Sequence, residues 1–301
     1  MNHKKTVFVG IPAHNEEKNI ASLLKDILAQ KGDSFILEGV AVACDGCTDN
    51  TAAIVAGFAK KSPLVTVIDD GRRVGQAARL NEFYRDLKSD IFITFDADVT
   101  LSNASVIEEI VRAFADPNVG LVGGVDKPAP QKTLVGKALV AYQLFWRELV
   151  NHKNGGNNVH HHPGCVSAGS RTFLKDVTIK LDVLANDHFL YFEAMRKGFA
   201  FKAAQKAVVY FKVPSTLHDY LKQTTRFLSS ANNIRDHFGD WVEQEYHVPF
   251  AVKARAYAVA FIQSPFYMTC AVVLSAVQKL TSYWYTERSA NGVWNTVKSS
   301  K

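Results

Sequence analysis

The sequence has little cysteine, no long tract of lysine and arginine, and no apolar segment near its N-terminus that could form the core of a signal peptide. The missing basic tract argues against nucleic acid as a partner. The four cysteines include one C-x-x-C pair, Cys44 and Cys47, and no second pair that could complete a zinc site. We therefore interpret this pair as small residues in a tight loop, with free thiols that suit a reducing cytosol.

Apolar residues make up 47% of the 301 residues and charged residues 21%, which excludes wholesale disorder. The chain is long enough for one large α/β domain with an appendage. Its net charge of +6 suits anionic partners such as nucleotides or lipid phosphates, without choosing between them.

From Thr6 to about Val125, short β-branched runs alternate with amphipathic segments, which predicts β-α-β units and a mostly parallel sheet. The first helix is predicted to have Asn15 as its N-cap, with Glu16 and Glu17 in its first turn. Polar residues fall just beyond the carboxyl ends of the first, second and fourth strands, where open α/β sheets bind their ligands. The four strands are predicted at residues 6–11, 39–43, 64–68 and 91–95.

Two carboxylates, Asp96 and Asp98, directly follow the fourth strand and are separated by one residue. Such a pair can hold Mn²⁺ or Mg²⁺, because these cations prefer oxygen ligands and also bind substrate phosphates. The cation would neutralise the charge that develops on a leaving diphosphate. The alternative is that the D-x-D pair has no metal-binding role, because the solvated ends of strands often carry acidic residues.

Two further polar loops, residues 12–17 and 45–51, follow the first and second strands. In this order and spacing, they and the D-x-D pair resemble the family 2 glycosyltransferases, an inverting family of the GT-A fold with membrane-associated bacterial members. The resemblance covers roughly residues 5–235. It implies an α/β fold with a mostly parallel mixed sheet flanked by helices, followed by a C-terminal hydrophobic helical appendage.

The resemblance also implies how the chain is divided. A catalytic domain would occupy residues 1–240, and a hydrophobic, membrane-associating helical region would occupy residues 241–301. Within the catalytic domain, residues 1–126 would form the nucleotide-binding half and residues 127–240 the acceptor-side half.

Donor-site roles follow from the resemblance, residue by residue. Asp98 would bind the metal directly, and Asp96 would face the ribose or the sugar as a second candidate ligand. Asp45 would accept a hydrogen bond from the imide of a uracil base, since a carboxylate offers only acceptors. For Arg73, a solvated basic turn is the alternative. The residues implied to bind the nucleotide or donor are Pro12, Ala13, His14, Glu16, Asp45, Arg73, Gln76, Asp96 and Arg226.

The segment 185–188 resembles the acidic pair at the start of the helix from which the family draws its catalytic base. Asp187 matches the second acid, and the resemblance implies that it takes the proton of the acceptor hydroxyl, a role whose loss costs about 10²- to 10⁴-fold in rate. An ordinary helix N-cap is the alternative. Gly164 and Gln223 are implied to lie on the acceptor side.

Three positions depart from the family's pattern. Asn186 replaces the first acid of the pair. Phe227 replaces the tryptophan of the Q-x-x-R-W motif in residues 223–227, which keeps an aromatic ring but removes the indole N–H. Phe211 stands where many relatives have a histidine that completes the metal site. Solvent and the donor could complete the coordination sphere instead, or the three histidines at 160–162 could contribute, unless these form a polar acceptor-side loop.

Residues 256–278 contain no charged side chain and are interrupted by a Gln-Ser-Pro sequence at 263–265. The stretch could span a bilayer, lie on its surface, or pack against the catalytic domain. Aromatic residues favour membrane contact through residues 249–285, with a lipid-linked acceptor as a corollary. The expected location is the cytoplasmic side of the membrane, peripheral or C-terminally anchored, with the cytoplasm as the alternative.

These patterns predict an inverting glycosyltransferase that transfers a sugar from a UDP-sugar to an acceptor hydroxyl, on a carbohydrate, a lipid-linked acceptor or a cell-envelope glycan. A non-catalytic relative that binds the nucleotide-sugar is the first alternative, motivated by the three departures. A metal-dependent nucleotidyltransferase is the second, although no glycine-rich triphosphate loop is present.

Overall fold

The computed structural model describes residues 4–281, apart from the side chains of residues 225–229. The described chain forms one eight-stranded mixed sheet with a hydrophobic core and helices on each face. The strands are β1 (Lys5–Ala13), β2 (Phe35–Cys44), β3 (Val65–Asp69), β4 (Ile91–Phe95), β5 (Thr100–Leu101), β6 (Val119–Pro128), β7 (Val166–Ser170) and β8 (Ala200–Phe211).

Helices connect and cover these strands. They are α1 (Ile20–Leu28), α2 (Thr51–Ala59), α3 (Gln76–Arg85), α4 (Val106–Ala113), α5 (Leu134–Val150), α6 (Arg171–Leu174), α7 (Asn186–Arg196), α8 (Leu217–Phe238), α9 (Val242–Tyr246), α10 (Phe250–Gln263) and α11 (Pro265–Thr281).

Along the sheet the strands follow the order β3-β2-β1-β4-β7-β6-β8-β5. The first four are parallel to one another, β7 is antiparallel to both β4 and β6, and β8 is parallel to β6 and antiparallel to β5. The prediction of a mostly parallel mixed sheet is therefore confirmed. The carboxyl ends of β1, β2 and β4 share one edge, where the polar loops are expected to meet.

Strand β4 has the bounds that its apolar sequence predicts, because every residue from Ile91 to Phe95 is buried. Ile93 contributes to the core on one face of the sheet, and Phe92 to the core on the other. A strand covered on both faces has no solvent-facing side, so its sequence is apolar apart from Thr94. Gly10 of β1 lies directly against this strand, since a Cβ atom there would overlap the ring of Phe92.

The first helix begins later than predicted, at Ile20, and Asn15 is not its N-cap. Asn15 has a left-handed backbone with φ of 56°, and its Oδ1 accepts a hydrogen bond from the backbone N–H of Thr48 at 2.7 Å. An N-cap instead needs an extended backbone and accepts from its own helix. The N–H of Glu17 also donates to the loop after β2, at 3.1 Å to Asp49 Oδ2. Contacts between the two loops thus replace the predicted cap.

At the C-terminal end, α10 and α11 pack against α5 through a small apolar core that includes Phe145, Ala256 and Met268. The uncharged stretch 256–278 is divided between these two helices, because α10 ends at Gln263 and α11 begins at Pro265. Among the described residues, no helix is both long enough and apolar enough to cross a membrane. The predicted membrane contact at residues 282–285 lies outside the described residues.

Candidate active site

The loops that follow β1 and β2 are held against each other by hydrogen bonds. The backbone N–H of Asp45 donates to the carbonyl of Ala13 at 2.7 Å, and ring Nδ1 of His14 lies 2.7 Å from the carbonyl oxygen of Asp45. Because a carbonyl only accepts, Nδ1 of His14 carries the proton. The structure thus brings Pro12, Ala13 and His14, the predicted lining of the nucleotide site, next to Asp45.

Glu16 is buried within the first of these loops. Its backbone N–H donates to Thr51 Oγ1 at 2.7 Å, and its carboxylate accepts from Asn19 Nδ2 at 2.8 Å. The amide oxygen of Asn19 accepts in turn from the ammonium of Lys212 at 2.8 Å. A lysine that follows β8 therefore reaches the loop that follows β1.

Asp45 is also buried, and its carboxylate holds the basic loop before α3. It accepts from the backbone N–H of Val74 at 2.7 Å and of Gly75 at 3.0 Å, and from Arg79 Nε at 3.2 Å. Gly75 has φ of 91°, a left-handed conformation that favours glycine. Asp45 thus positions this loop at the edge of the sheet. Its predicted contact with a uracil imide stays a prediction.

Arg79 is a site residue that the sequence analysis missed. Its side chain is fully buried in α3 and forms ion pairs with Asp45, Asp70 and Glu82 at 3.2, 2.8 and 3.0 Å. Hydrogen bonds from Arg79 and then from Arg72 lower the pKa of Asp70 below its usual range. Arg79 therefore stays charged and ties Asp45 and Asp70 to α3, the helix that also carries Glu82.

Gln76 connects the acidic pair to the helix that carries Asp187. Its Nε2 donates to Asp96 Oδ1 at 3.1 Å, and its Oε1 accepts from Asn186 Nδ2 at 3.2 Å. The orientation of both amides follows from the carboxylate, which only accepts. The same orientation leaves Asn186 Oδ1 buried without a protein partner among the described residues.

A second connection runs through the backbone. Since β7 is antiparallel to β4, with Val166 opposite Phe95, the residues before β7 lie beside the acidic pair. The N–H of Asp96 donates to the carbonyl of Cys165 at 3.0 Å. At the adjacent Gly164, a Cβ atom would lie only 3.3 Å from Asp187 Oδ2. Glycine thus keeps space open beside the predicted base.

Asp187 lies in the first turn of α7, whose N-cap position is Ala185, so it is not an N-cap residue. Nδ1 of His162 lies 2.9 Å from the carbonyl oxygen of Asp187, and Nε2 lies 2.8 Å from Ser167 Oγ. Burial lowers the pKa of His162 to about 4, so the ring is neutral and its Nδ1–H donates to the carbonyl. This buried histidine fixes the start of the helix.

Asp126, near the end of β6, is a second residue that the sequence analysis missed. Burial raises its pKa, and the charge of the neighbouring Asp187 adds to the rise. The pKa of the Cys165 thiol is raised by burial and by the charges of Asp126, Asp96 and Asp98. Carboxylates from three elements of the fold therefore surround the same segment.

Asp96 and Asp98 are half-buried and offer carboxylate oxygens, which suits Mn²⁺ or Mg²⁺. No group of three or more histidine, cysteine or acidic side chains within the described residues could hold a metal ion. Asp96 and Asp98 therefore fit a cation that takes one or two carboxylate ligands from the protein and completes its coordination sphere with substrate phosphates and water. Within the described residues, the histidines at 160–162 therefore do not form a metal site.

The remaining predicted residues, Arg73, Gln223 and Arg226, differ in their exposure and in how far the structure describes them. Arg73 is exposed, and its Cβ would lie 2.8 Å from a Cβ built on Gly46, so it packs against the loop after β2. Gln223 is half-buried on α8. The side chain of Arg226 lies outside the described residues.

Cys47 is a free thiol that donates to the carbonyl of Ala13 at 3.3 Å, in keeping with the predicted tight loop.

The chain has the GT-A glycosyltransferase fold. Its parallel strands end in polar loops, an acidic pair follows β4, and a facing helix carries a carboxylate. The family model for glycosyl transferase family 2 matches residues 8–180. The chain belongs to that family.

Several known proteins are similar to this chain. Poly-beta-1,6-N-acetyl-D-glucosamine synthase of Staphylococcus aureus is 21% identical over 235 residues, which are 76% of this chain and 55% of that protein. The chain thus spans about half the length of the curated relatives it matches.

Among solved structures, the mannosyltransferase PcManGT from Pyrobaculum calidifontis, in complex with GDP-Man and Mn²⁺, has a TM-score of 0.65 and 19% identity, covering 95% of this chain and 89% of that one. Glucosyl-3-phosphoglycerate synthase from Mycobacterium tuberculosis, with Mn²⁺, UDP and glucosyl-3-phosphoglycerate, has a TM-score of 0.52 and 16% identity, covering 78% of this chain and 80% of that one. At these identities the structures establish the fold.

Proposed function

We propose that this protein is an inverting, metal-dependent glycosyltransferase that moves a sugar from a UDP-sugar to an acceptor hydroxyl. Membership of family 2 supports sugar transfer. The observation that carries the proposal is the hydrogen-bonded chain from Asp96 through Gln76 to Asn186, with contacts of 3.1 and 3.2 Å. This chain links the acidic pair of the donor side to the first turn of α7, where Asp187 lies.

Each part of the site then has a distinct task. The loops after β1 and β2 hold the nucleotide, and Asp98 with Asp96 holds the cation. A bound Mn²⁺ or Mg²⁺ supplies positive charge that stabilises the leaving diphosphate. Asp187 takes the proton of the acceptor hydroxyl as that oxygen attacks the anomeric carbon, and the space at Gly164 admits the acceptor. The buried Asn186 Oδ1 is available to a sugar hydroxyl.

The choice of Mn²⁺ and of a nucleoside diphosphate is supported by the ligands of two structures that share the fold, GDP-Man with Mn²⁺ in one and UDP with Mn²⁺ in the other. The donor set of this chain fits the same cation. We propose UDP as the nucleotide because of Asp45, whose carboxylate matches an imide donor.

A donor screen tests this function. The purified protein is incubated with Mn²⁺ and a panel of UDP- and GDP-sugars, with and without lipid extract, and nucleotide release and sugar transfer are measured. We expect release from one UDP-sugar, abolished by EDTA and increased by an extract that contains the acceptor. Tight UDP binding without turnover on any donor would instead support the non-catalytic alternative, and activity with a nucleoside triphosphate would support a nucleotidyltransferase.

We also propose that α10 and α11 attach the enzyme to the cytoplasmic surface of a membrane, as part of a C-terminal region that starts near residue 241. The motivation is a set of large apolar side chains on these helices that are exposed, with Phe250, Ile262, Phe266 and Leu280 exposed by 85%, 81%, 65% and 79%. Lipid-linked acceptors would be presented at such a surface. Lys253 and Arg255 are exposed on α10, and interfacial helices bind through such apolar side chains together with nearby basic residues.

Vesicle flotation tests the attachment. We expect the protein to float with vesicles that contain anionic lipid, and the double variant Ile262→Asp with Phe266→Asp to lose most of this binding. Burying each such side chain contributes about 1.5–3 kcal/mol, so losing two lowers the partition coefficient by more than about 100-fold. Ile36→Asp is the matched control, since Ile36 is 52% exposed at the start of β2. Equal flotation of the double variant and the control would contradict the proposal.

A further inference from the structure

Lys212 directly follows the last residue of β8, Phe211. The side chain is half-buried, and its ammonium donates to Asn19 Oδ1 at 2.8 Å. This acceptor is a neutral amide, so the contact orients the ammonium without neutralising its charge. A fixed positive charge therefore lies beside the loop that follows β1.

The amide that holds Lys212 is itself fixed. Asn19 is buried, and its Nδ2 donates to the buried carboxylate of Glu16 at 2.8 Å. Since the carboxylate only accepts, the amide of Asn19 has one orientation, with its oxygen directed at Lys212. The lysine is thus tied into the loop proposed to hold the nucleotide, across 193 positions of sequence.

The sheet also places Lys212 at the same end of one strand pair as Asp98. Strands β5 and β8 are antiparallel, with Thr100 opposite Tyr210 and Leu101 opposite Val209. Asp98 comes two residues before Thr100, and Lys212 comes two residues after Tyr210, so both leave this strand pair at the same end. Lys212 thus contacts the residue that precedes α1 and lies at the same end of the β5–β8 pair as Asp98.

We infer that Lys212 binds the diphosphate of the nucleotide donor and carries part of the positive charge that stabilises it as a leaving group. The inference rests on the proposed function and adds a residue to it. Lysine binds phosphate as a point charge, and cationic side chains act alongside metal ions on phosphoryl groups. A part of diphosphate binding is therefore independent of metal.

Calorimetry with free nucleotides tests this role without requiring turnover. UDP and uridine are titrated into the protein, in EDTA and in Mn²⁺, with GDP and guanosine as the second pair. In EDTA, Lys212→Met is expected to weaken UDP binding about tenfold or more, the effect of losing a hydrogen bond to a charged group, and to leave uridine binding unchanged. Lys212→Arg is expected to retain most of the UDP affinity. Lys206→Met is the matched control, because Lys206 is exposed on β8, the strand that Lys212 follows.

The outcomes separate this inference from the proposed function. Equal UDP affinity of Lys212→Met and wild type in EDTA would overturn the role of Lys212 alone. A parallel loss of UDP and uridine affinity would also overturn it, because the lysine would then support the loop rather than the diphosphate. Failure of the wild-type protein to bind either nucleoside diphosphate, even in Mn²⁺, would overturn the proposed function itself.

Discussion

Asp187→Asn is expected to lower kcat by about 10²- to 10⁴-fold, the range for loss of a general base. The substitution keeps the size of the side chain and its place in the first turn of α7, but an amide does not take up the proton of the acceptor hydroxyl. The affinity for UDP in Mn²⁺ is expected to stay close to that of the wild type. Steady-state kinetics with the donor found in the screen, together with UDP calorimetry, measure both quantities.

Asp176→Asn is the matched control for this variant, because Asp176 is exposed and lies outside the site. Full activity of Asp187→Asn would exclude Asp187 as the base. A loss of UDP affinity equal to the loss of kcat would show that Asp187 acts on the donor, since a base for the acceptor affects the chemical step alone. Asp126, a buried carboxyl whose pKa is raised by burial and by the charge of Asp187, would then become the next candidate.

The part of the site that the sequence predicts well lies directly after the strands. His14, Asp45 and Asp96 each follow a strand whose apolar pattern is local, and the parallel sheet brings all three to one edge. The pattern is reliable here because a strand buried on both faces has a continuous apolar run that ends where the polar loop begins. The edge itself follows from the general rule for open α/β sheets.

The residues that the sequence does not reveal depend on contacts between distant segments. Arg79 lies in an amphipathic helix, and nothing in the helical period explains a buried arginine until Asp45 and Asp70 are placed around it. The capping prediction for Asn15 is wrong for the same reason, because its side chain bonds to the loop after β2. Local propensity gives way where two loops bind each other.

Gln76 makes one contact that a local sequence pattern predicts and one that depends on a distant segment. Its place after the basic loop predicts a donor-side residue, and it does contact Asp96. Its second contact, with Asn186, depends on the position of α7 across the sheet, which no local pattern indicates. The same contact gives a physical reason for asparagine at a position where the family has an acid. An ionised acid could not donate to the Gln76 carbonyl oxygen, whereas the asparagine amide can.

Asp98→Ala is expected to remove the tightening of UDP binding by Mn²⁺ and to lower kcat/KM by about 10²- to 10³-fold. A metal ion contributes several kcal/mol to stabilising the charge of the transition state, and each 1.36 kcal/mol corresponds to about tenfold in rate. UDP calorimetry across a Mn²⁺ titration measures the first effect, and kinetics with the identified donor measure the second. Asp176→Ala provides the control for removing one exposed carboxylate.

Asp98 is the better position for this test, because Asp96 also accepts a hydrogen bond from Gln76, which in turn contacts Asn186 of α7. A variant of Asp96 would therefore disturb the metal site and the base together. In EDTA, Asp98→Ala should bind UDP no more weakly than the wild type, since the contribution of Lys212 does not need the metal. If Mn²⁺ strengthens UDP binding equally in Asp98→Ala and wild type, the cation is held elsewhere, and the assignment of the acidic pair as its site is wrong.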